Sequence, residues 1–332
     1  GTYIASHDYF GKKLSDTYIY RSGDRGNSWT PIAKLESLTW ATLFNRGKEL
    51  YLIGISPKVT MGYGDFVVRR SLDFGRSWTE PKDEKSGLIR CGFYHCAPVP
   101  VVRHKGKYWR AMENMGQEWG WGPFSALMTS ISCEADLLDA GQWNFSNEIR
   151  YDSSWKEGAT AWLEGNAVVT REGEVKDILR VAYGPDDVAA MTSLSEDGKI
   201  MTFNPEKDFI KLPGAGKKFT IRYDKKRKKY WTLSNFILEK DRHNMDGGAI
   251  RNTQVLMCSD NLTEWCIKDT VLTCDQPELY GFQYVDWQFD GKDIVFVSRT
   301  AWRDKTGNPP RQHDANYMTF HRIRNFRAFS KK

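Results

Sequence analysis

The sequence predicts an all-β protein assembled from a repeated unit of about four strands. Apolar or alternating runs recur along all 332 residues, and glycine or charged turns separate them. No long stretch has the spacing of an amphipathic helix. A pattern that reads Arg-Ser-x-Asp-x-Gly-x-Ser-Trp occurs twice, at 21–29 and at 70–78, which indicates an internal repeat.

Each copy of this pattern follows a β-rich run, 18–20 or 66–68, and therefore predicts a hairpin turn between two strands. The aspartate carboxylate can accept hydrogen bonds from amides of its own turn, and the glycine allows a positive φ. The tryptophan can cover the hairpin. A weaker copy is expected at Asp260 and Trp265, with Leu262 in place of the glycine.

The larger repeat consists of two apolar runs around a polar turn, followed by a third strand. The paired runs are 41–44 with 50–53, 99–102 with 108–111, 167–169 with 178–181, 219–221 with 230–232, and 284–287 with 294–297. The third strands are expected at 17–21, 66–70, 126–130, 188–193, 253–257 and 317–321. These positions define about six units of roughly 55 residues, the size of a propeller blade. We therefore predict a single six-bladed β-propeller domain over residues 1–332.

The first predicted blade is incomplete. Residues 1–5 align best with 106–110, which places residue 1 in the turn between a first and a second strand. The first blade then lacks its innermost strand. We expect the natural chain to continue upstream of Gly1, or a segment from elsewhere to occupy the gap.

Composition excludes several classes of function. The net charge of +6 is modest, and the dense basic run at 225–229 lies in an apparent hairpin turn, so we expect no nucleic-acid partner. Six cysteines without a CxxC or Cys/His cluster argue against a zinc site, and no cofactor motif is present, although Ca²⁺ in the acidic loops stays open. No run reaches the roughly 18 apolar residues of a membrane span. We expect a monomer.

The candidate site lies on the propeller face opposite the repeated turns, because the longer loops belong to that face and long loops carry function more often than tight turns. Groups from different blades can converge there on one bound sugar ring. The catalytic candidates are Asp8, His95, Glu164 and Asp286. The sugar-binding candidates are His7, Trp121, Arg222, Tyr284, Arg299, His313 and Asp314.

Each candidate also has a structural interpretation. Glu164 precedes an apolar inner strand, where an unpaired carboxylate is costly, so it is an acid or an acceptor for neighbouring amides. His95 is a proton carrier or a packed, hydrogen-bonded histidine. Arg222 and Arg299 bind an anionic sugar or tie blades together through ion pairs. Asp286 is a catalytic carboxylate or a cap for the adjacent blade, and the His7-Asp8 and His313-Asp314 pairs are site residues or loop anchors.

The two Asp-Gly-Trp turns and the blade-like repeat resemble the Asp-box of the sialidase-like β-propeller superfamily, and the chain resembles bacterial proteins labelled exo-α-sialidase. In sialidases the resemblance implies an Arg-Ile-Pro motif near the N-terminus, three arginines on the sugar carboxylate, an Asp acid/base and a Tyr/Glu nucleophile pair. No Arg-Ile-Pro occurs in this sequence. Arg222 and Arg299 are the candidates for part of the arginine set.

The sequence therefore predicts a glycoside hydrolase that cleaves a terminal sugar, acidic or from a plant or algal glycan, by carboxylate and histidine acid–base chemistry. Two alternatives stay open. A polysaccharide lyase needs a cation for the uronate carboxylate, a base and an acid, and Arg222, His95 and Tyr94 or Tyr284 are the right types. A glycan-binding propeller without catalysis is the third hypothesis. We expect a bacterial protein that is periplasmic or secreted, with its leader removed.

Overall fold

The computed structural model describes residues 1–10, 14–59, 62–116, 122, 124–242 and 245–331. Over these residues the secondary structure is strand, turn and short 3-10 segments, which confirms the all-β prediction. The 3-10 segments are Ala140–Gln142, Ser153–Trp155, Glu239–Asp241, Gly247–Ala249 and Phe326–Lys331. Among the described residues, no helix is long and apolar enough to cross a membrane. The chain divides into two compact units.

Unit 1 contains Gly1–Arg150 and Ser195–Met201. Its strands are β1 (Tyr3–Tyr9), β2 (Asp16–Ser22), β3 (Thr30–Leu35), β4 (Thr39–Arg46), β5 (Glu49–Pro57), β6 (Gly64–Ser71), β7 (Leu88–His95), β8 (Val102–His104), β9 (Lys107–Asn114), β10 (Ser125–Ser132), β11 (Trp143–Phe145) and β12 (Ile149–Arg150). One sheet has three strands in the order β1-β2-β3. The other has the order β11-β10-β9-β7-β6-β5-β4, with β8 on β9 and β12 on β10.

Unit 2 contains Tyr151–Leu194 and Thr202–Lys332. Its strands are β13 (Ala159–Val169), β14 (Val175–Tyr183), β15 (Val188–Leu194), β17 (Phe209–Lys211), β18 (Thr220–Asp224), β19 (Lys229–Asn235), β20 (Thr253–Ser259), β21 (Trp265–Thr273), β22 (Gly281–Asp290), β23 (Asp293–Ala301) and β24 (Tyr317–Ile323), and the short β16 (Met201–Thr202) crosses the boundary between the units. The sheets have the orders β13-β14-β15 with β17 on β15, β18-β19-β20-β21, and β22-β23-β24.

The predicted strands agree with these elements, with one exception. All six third strands fall within β2, β6, β10, β15, β20 and β24. The predicted run 99–102 is extended strand only from Val102, because Pro98 and Pro100 lack the amide hydrogen that a strand ladder needs. Closure into six blades, the missing first strand and a single domain over 1–332 stay predictions.

Aromatic side chains on the inward faces of the strands form the cores. In unit 1, Phe66 packs edge-on against Trp143, with ring centroids 5.3 Å apart. In unit 2, Trp231 packs edge-on against Phe326 at 5.1 Å, and Trp287 is also fully buried. Edge-to-face packing aligns the positive ring edge with the negative ring face, which adds to the hydrophobic gain from burial.

The two repeated turns have the same hydrogen bonds. Asp24 accepts from the Ser28 amide at 2.9 Å and from the Ser28 hydroxyl at 2.6 Å, and Asp73 accepts from Ser77 at the same two distances. These bonds lower the pKa of both aspartates, that of Asp24 to about 2. Gly75 has the expected positive φ of 89°. The turns therefore form as the sequence predicts.

The weaker third copy of this turn differs from the prediction. Asn261, and not Asp260, accepts the amide of Glu264 at 2.9 Å, because this copy is one residue shorter between its serine and its tryptophan. Leu262 takes a positive φ of 71°, as the glycine does elsewhere. Asp260 instead pairs with Arg171 at 2.9 Å and Lys229 at 2.6 Å.

Candidate functional site

Three strands each carry a residue with a strained backbone at a bulge. Inside the described strands, the non-glycine residues with positive φ are Trp40 in β4, Glu164 in β13 and Tyr284 in β22, at 53°, 57° and 51°. Each lies at a bulge where the strand loses register with its neighbour. A side chain in this region costs about 1–3 kcal/mol, and such strain concentrates at functional sites.

Glu164 forms a buried ion pair in unit 2. Its Oε2 accepts from Nη1 of Arg180 on β14 at 2.8 Å, and both side chains are almost fully buried. Burial lowers the pKa of Arg180, but the charge of Glu164 and the hydrogen bonds to Glu164 and Tyr284 outweigh burial, so the pKa is raised. The pair therefore fixes the carboxylate beside the Tyr284 phenol.

Two further arginines face the Tyr284 ring. The guanidinium carbon of Arg299 lies 5.0 Å from the ring centroid, and that of Arg251 lies 5.9 Å from it. Arg251 is only 6% exposed, and its Nε and Nη1 have no hydrogen-bond partner among the described residues. Burial, opposed in part by the charges of Tyr284 and Glu164, lowers the pKa of Arg251 to about 10. The group is still a cation at neutral pH.

His313 completes this group of side chains. Its backbone oxygen accepts from Nη2 of Arg299 at 2.5 Å, and its ring meets the Tyr284 ring edge-on at 6.4 Å. Burial and the charges of Arg299 and Arg251 lower the pKa of His313 to about 4. We call Glu164, Arg180, Arg251, Tyr284, Arg299 and His313 the Tyr284 cluster.

The phenol of Tyr284 is protonated at neutral pH. Burial and the neighbouring Glu164 carboxylate raise its pKa, and Arg180, Arg251 and Arg299 oppose this rise. A nucleophilic phenol therefore needs a base, and Glu164 is the carboxylate of the cluster.

A buried ion pair stands next to the arginines. Lys217 donates to Asp186 and to the backbone oxygen of Gly247, the latter at 3.0 Å. Burial lowers the pKa of Lys217 to about 8 and raises that of Asp186, and Arg180 and Arg251 act on both groups. This pair is neutral as a whole, so it does not offset the charges of Arg251 and Arg299.

Arg222 and Asp286 pair with each other. Arg222 Nη2 donates to Asp286 Oδ1 at 3.1 Å, and the Trp287 amide donates to the same oxygen at 2.9 Å. Both side chains are partly buried. This geometry matches the structural alternatives for the two residues, and their roles in catalysis and sugar binding stay predictions.

A separate group of side chains surrounds Trp40 in unit 1. Asp8 accepts from the Trp40 amide at 2.5 Å, from the Thr17 hydroxyl at 2.7 Å and from the Thr39 hydroxyl at 3.2 Å. Burial raises the pKa of Asp8, although these hydrogen bonds lower it. His7, on the other face of β1, contacts the Tyr20 hydroxyl at 3.1 Å.

His95 lies against Trp40. It is the last residue of β7. Its ring packs edge-on against Trp40 at 4.4 Å, and its Nδ1 lies 2.9 Å from Glu113 Oε2. Tyr63 also packs edge-on against Trp40, with ring centroids 5.5 Å apart. We call Asp8, Trp40, Tyr63, His95 and Glu113 the Trp40 cluster.

The structure thus brings the predicted residues together in two groups. Glu164, Tyr284, Arg299 and His313 meet in unit 2, and Asp8 and His95 meet in unit 1. Asp314 contacts His313 and pairs with Arg311 at 3.0 Å. Trp121 lies outside the described residues.

Five residues of the two clusters are not identified by the sequence patterns: Arg180, Arg251, Trp40, Tyr63 and Glu113. Arg180 interrupts the apolar run 178–181, and an arginine in a buried strand was the signal that could have identified it. Glu113 is similarly a charged residue inside the buried part of β9.

No protein-family model and no curated protein matches the chain. Solved structures do match. Trypanosoma rangeli sialidase has a TM-score of 0.59 at 13% identity, with 100% of this chain and 54% of that chain covered. A Dyadobacter fermentans protein of unknown function also has a TM-score of 0.59 at 13% identity, with 96% of this chain and 90% of that chain covered. An exo-β-1,3-galactanase from Clostridium thermocellum has a TM-score of 0.52 at 10% identity, with 97% of this chain and 62% of that chain covered.

The chain has a sialidase-like β-propeller fold. At these identities the likeness shows the fold alone, and the chain spans about half the length of the trypanosomal sialidase. Two of these three neighbours, the sialidase and the galactanase, are glycan-acting hydrolases, and the fold by itself does not determine the reaction.

Proposed function

We propose that the protein is a glycoside hydrolase that removes a terminal anionic sugar from a glycan. The observation that carries this proposal is the Tyr284 cluster, where three guanidinium groups and one carboxylate surround a single phenol. The glycan-acting hydrolases among the structural neighbours support the general class of reaction.

The charge of the cluster favours an anionic ligand. Arg180 is paired with Glu164, whereas Arg251 and Arg299 add two positive charges around Tyr284 without a second carboxylate in the cluster. Buried cations without partners are costly, and a carboxylate on the substrate would supply both charge and hydrogen-bond acceptors to Arg251. Planar guanidinium groups suit this contact because they can bind a carboxylate with two parallel hydrogen bonds.

The proposed reaction uses Tyr284 as the nucleophile. Its phenolic oxygen attacks the anomeric carbon while Glu164 accepts the phenolic proton, and the bond to the leaving oxygen breaks with a proton from an acid. Water then attacks the glycosyl-tyrosine, a base takes one proton from the water, and Glu164 returns a proton to the phenol. A neutral phenol suits an anionic sugar because a carboxylate nucleophile would be repelled by it.

The Tyr284 cluster does not supply the acid for the leaving oxygen. Asp286, which lies in unit 2, is the candidate for that role. The catalytic roles of Asp8 and His95 stay predictions.

A lyase on the same residues is the second candidate, and His313 favours it. Because its pKa is lowered to about 4, the imidazole is neutral at neutral pH and can accept a proton. The arginines would neutralise a uronate carboxylate, His313 would take the C5 proton, and Tyr284 would protonate the leaving oxygen.

The test is turnover of a panel of aryl glycosides and oligosaccharides with anionic and neutral terminal sugars. We expect release of an anionic sugar and trapping of a fluorinated substrate analogue on Tyr284, located by peptide mass spectrometry. An ultraviolet-absorbing unsaturated product would support the lyase instead. Binding without cleavage of any substrate would favour the glycan-binding alternative, and a preference for neutral sugars would contradict the anionic substrate.

A further inference from the structure

We propose that Trp40 is the platform of a second sugar-binding site, in unit 1, which takes an uncharged pyranose ring. The inference extends the proposed action on glycans and rests on it for the class of ligand. The proposed contacts with the sugar are made by the Trp40 cluster and its exposed neighbour Phe10.

The backbone of Trp40 identifies it as a functional position. Like Glu164 and Tyr284, the proposed base and nucleophile of unit 2, Trp40 lies at a bulge of its strand and has a positive φ. A bulky aromatic residue is disfavoured at φ 53°, where glycine would be free of strain. A tryptophan that only packed on the hydrophobic core would not need a positive φ, because ordinary extended backbone would bury its side chain equally well.

Asp8 holds Trp40 in this conformation. Its carboxylate accepts the Trp40 amide, and the hydroxyls of Thr17 and Thr39 fix the carboxylate in turn. The three bonds connect β1, β2 and β4, so the position of the indole is determined by the sheets and not by a loop.

The indole belongs to an aromatic wall that is partly open to solvent. Phe10 is 52% exposed, and its ring lies 6.4 Å from Trp40. Tyr63 and His95 also pack edge-on against the indole. Half-buried Trp40 thus keeps accessible apolar surface at a fixed orientation, and the apolar face of a pyranose ring packs well on such a surface.

A polar pair borders this wall. Glu113 is fully buried and contacts Nδ1 of His95, so the Nδ1 proton is directed at the carboxylate. Nε2 of His95 has no hydrogen-bond partner among the described residues, and the side chain is nine-tenths buried. Nε2 is then available to accept a sugar hydroxyl beside the indole.

The charges near Trp40 favour a neutral ring. Asp8 and Glu113 are both carboxylic acids, and Arg110, which is fully buried, donates to the backbone oxygen of Ala97 at 2.7 Å and to Thr42 at 3.0 Å. Among the described residues, the Trp40 cluster contains no guanidinium group, whereas the Tyr284 cluster contains three. A carboxylated or sulfated sugar would be repelled here.

The test measures binding of methyl glycosides by saturation-transfer NMR to a Glu164→Gln variant of the full chain, which prevents turnover through the proposed base. Neutral pyranosides of glucose, galactose and mannose are compared with glucuronic and galacturonic acid. We expect binding of at least one neutral pyranoside, weakened about tenfold or more by Trp40→Ala. Phe74→Ala removes another exposed aromatic residue of unit 1 and should leave binding unchanged.

Folding and binding are separated by Trp40→Gly. Because glycine tolerates the positive φ, this variant should melt at a higher temperature than Trp40→Ala, yet bind no better. The proposal is overturned if no neutral pyranoside binds, if binding survives Trp40→Ala, or if uronic acids compete at the same site. Loss of hydrolysis in every assay with Trp40-dependent binding intact would reject the hydrolase proposal and not this one.

Discussion

Glu164 and Tyr284 share one left-handed backbone conformation, at φ 57° and 51°, on bulges of two different strands of unit 2. The conformation carries both side chains into the cluster of arginines, where the Glu164 carboxylate helps to raise the pKa of the Tyr284 phenol. Two residues with strained backbones whose side chains interact electrostatically are typical of a functional site and not of a hydrophobic core.

Loss of either residue of this pair should abolish turnover. We expect Glu164→Gln and Tyr284→Phe each to lower kcat by about 10²–10⁴, because proton transfer or the nucleophile is removed. Glu174→Gln changes an exposed glutamate of the same unit and should leave kcat unchanged. Steady-state kinetics check this, and a kcat within about twofold of the unmutated protein for Tyr284→Phe would reject Tyr284 as nucleophile.

Arg251→Met should weaken substrate binding without loss of stability. The guanidinium is buried with two nitrogens lacking partners, so its removal relieves a desolvation cost. We expect an equal or higher Tm by calorimetry and a KM at least about tenfold higher for an anionic substrate.

The matched control is Arg171→Met, which removes an exposed arginine paired with Asp260. Arg171→Met should change neither the Tm nor the KM appreciably. A lower Tm for Arg251→Met with unchanged KM would mean that Arg251 is structural.

His313 should make folding stability depend on pH between about 4 and 6.5. Its folded pKa is lowered, so the unfolded chain binds a proton that the folded chain does not, and stability from this group is lost as pH falls through that window. We expect His313→Gln to reduce the loss of Tm between pH 7 and pH 4 relative to the unmutated protein. Parallel Tm curves for the two proteins would contradict the lowered pKa.

Asp73 should contribute to stability and not to activity. Asp73→Asn loses the carboxylate that accepts from both the amide and the hydroxyl of Ser77, so Tm should fall while kcat is unchanged. Asp275→Asn, at a 90% exposed aspartate, is the control and should leave Tm unaltered. An unaltered Tm in Asp73→Asn would show that the turn forms without these bonds.

The local features of the fold could be predicted from the sequence. The third strands and the turns at 21–29 and 70–78 depend on alternation and on glycine, aspartate and tryptophan at short spacing, and these signals lie within one hairpin. The surroundings of His95 could not be predicted from the sequence. β7 and β9 pair at Tyr94 and His95, and the residues that pair there are not close neighbours in the chain. No local pattern specifies that pairing.

The sequence alone determined an all-β chain with a repeated turn, and it supplied Glu164, Tyr284, Arg299 and His313 as separate candidates. Only the tertiary structure joined them with Arg180 and Arg251 in one cluster, and showed that Trp40 occupies the same strained position as two of them. The reason is physical: periodicity and turn chemistry act between near neighbours, whereas bulge registers and buried charge depend on strands that meet only after folding.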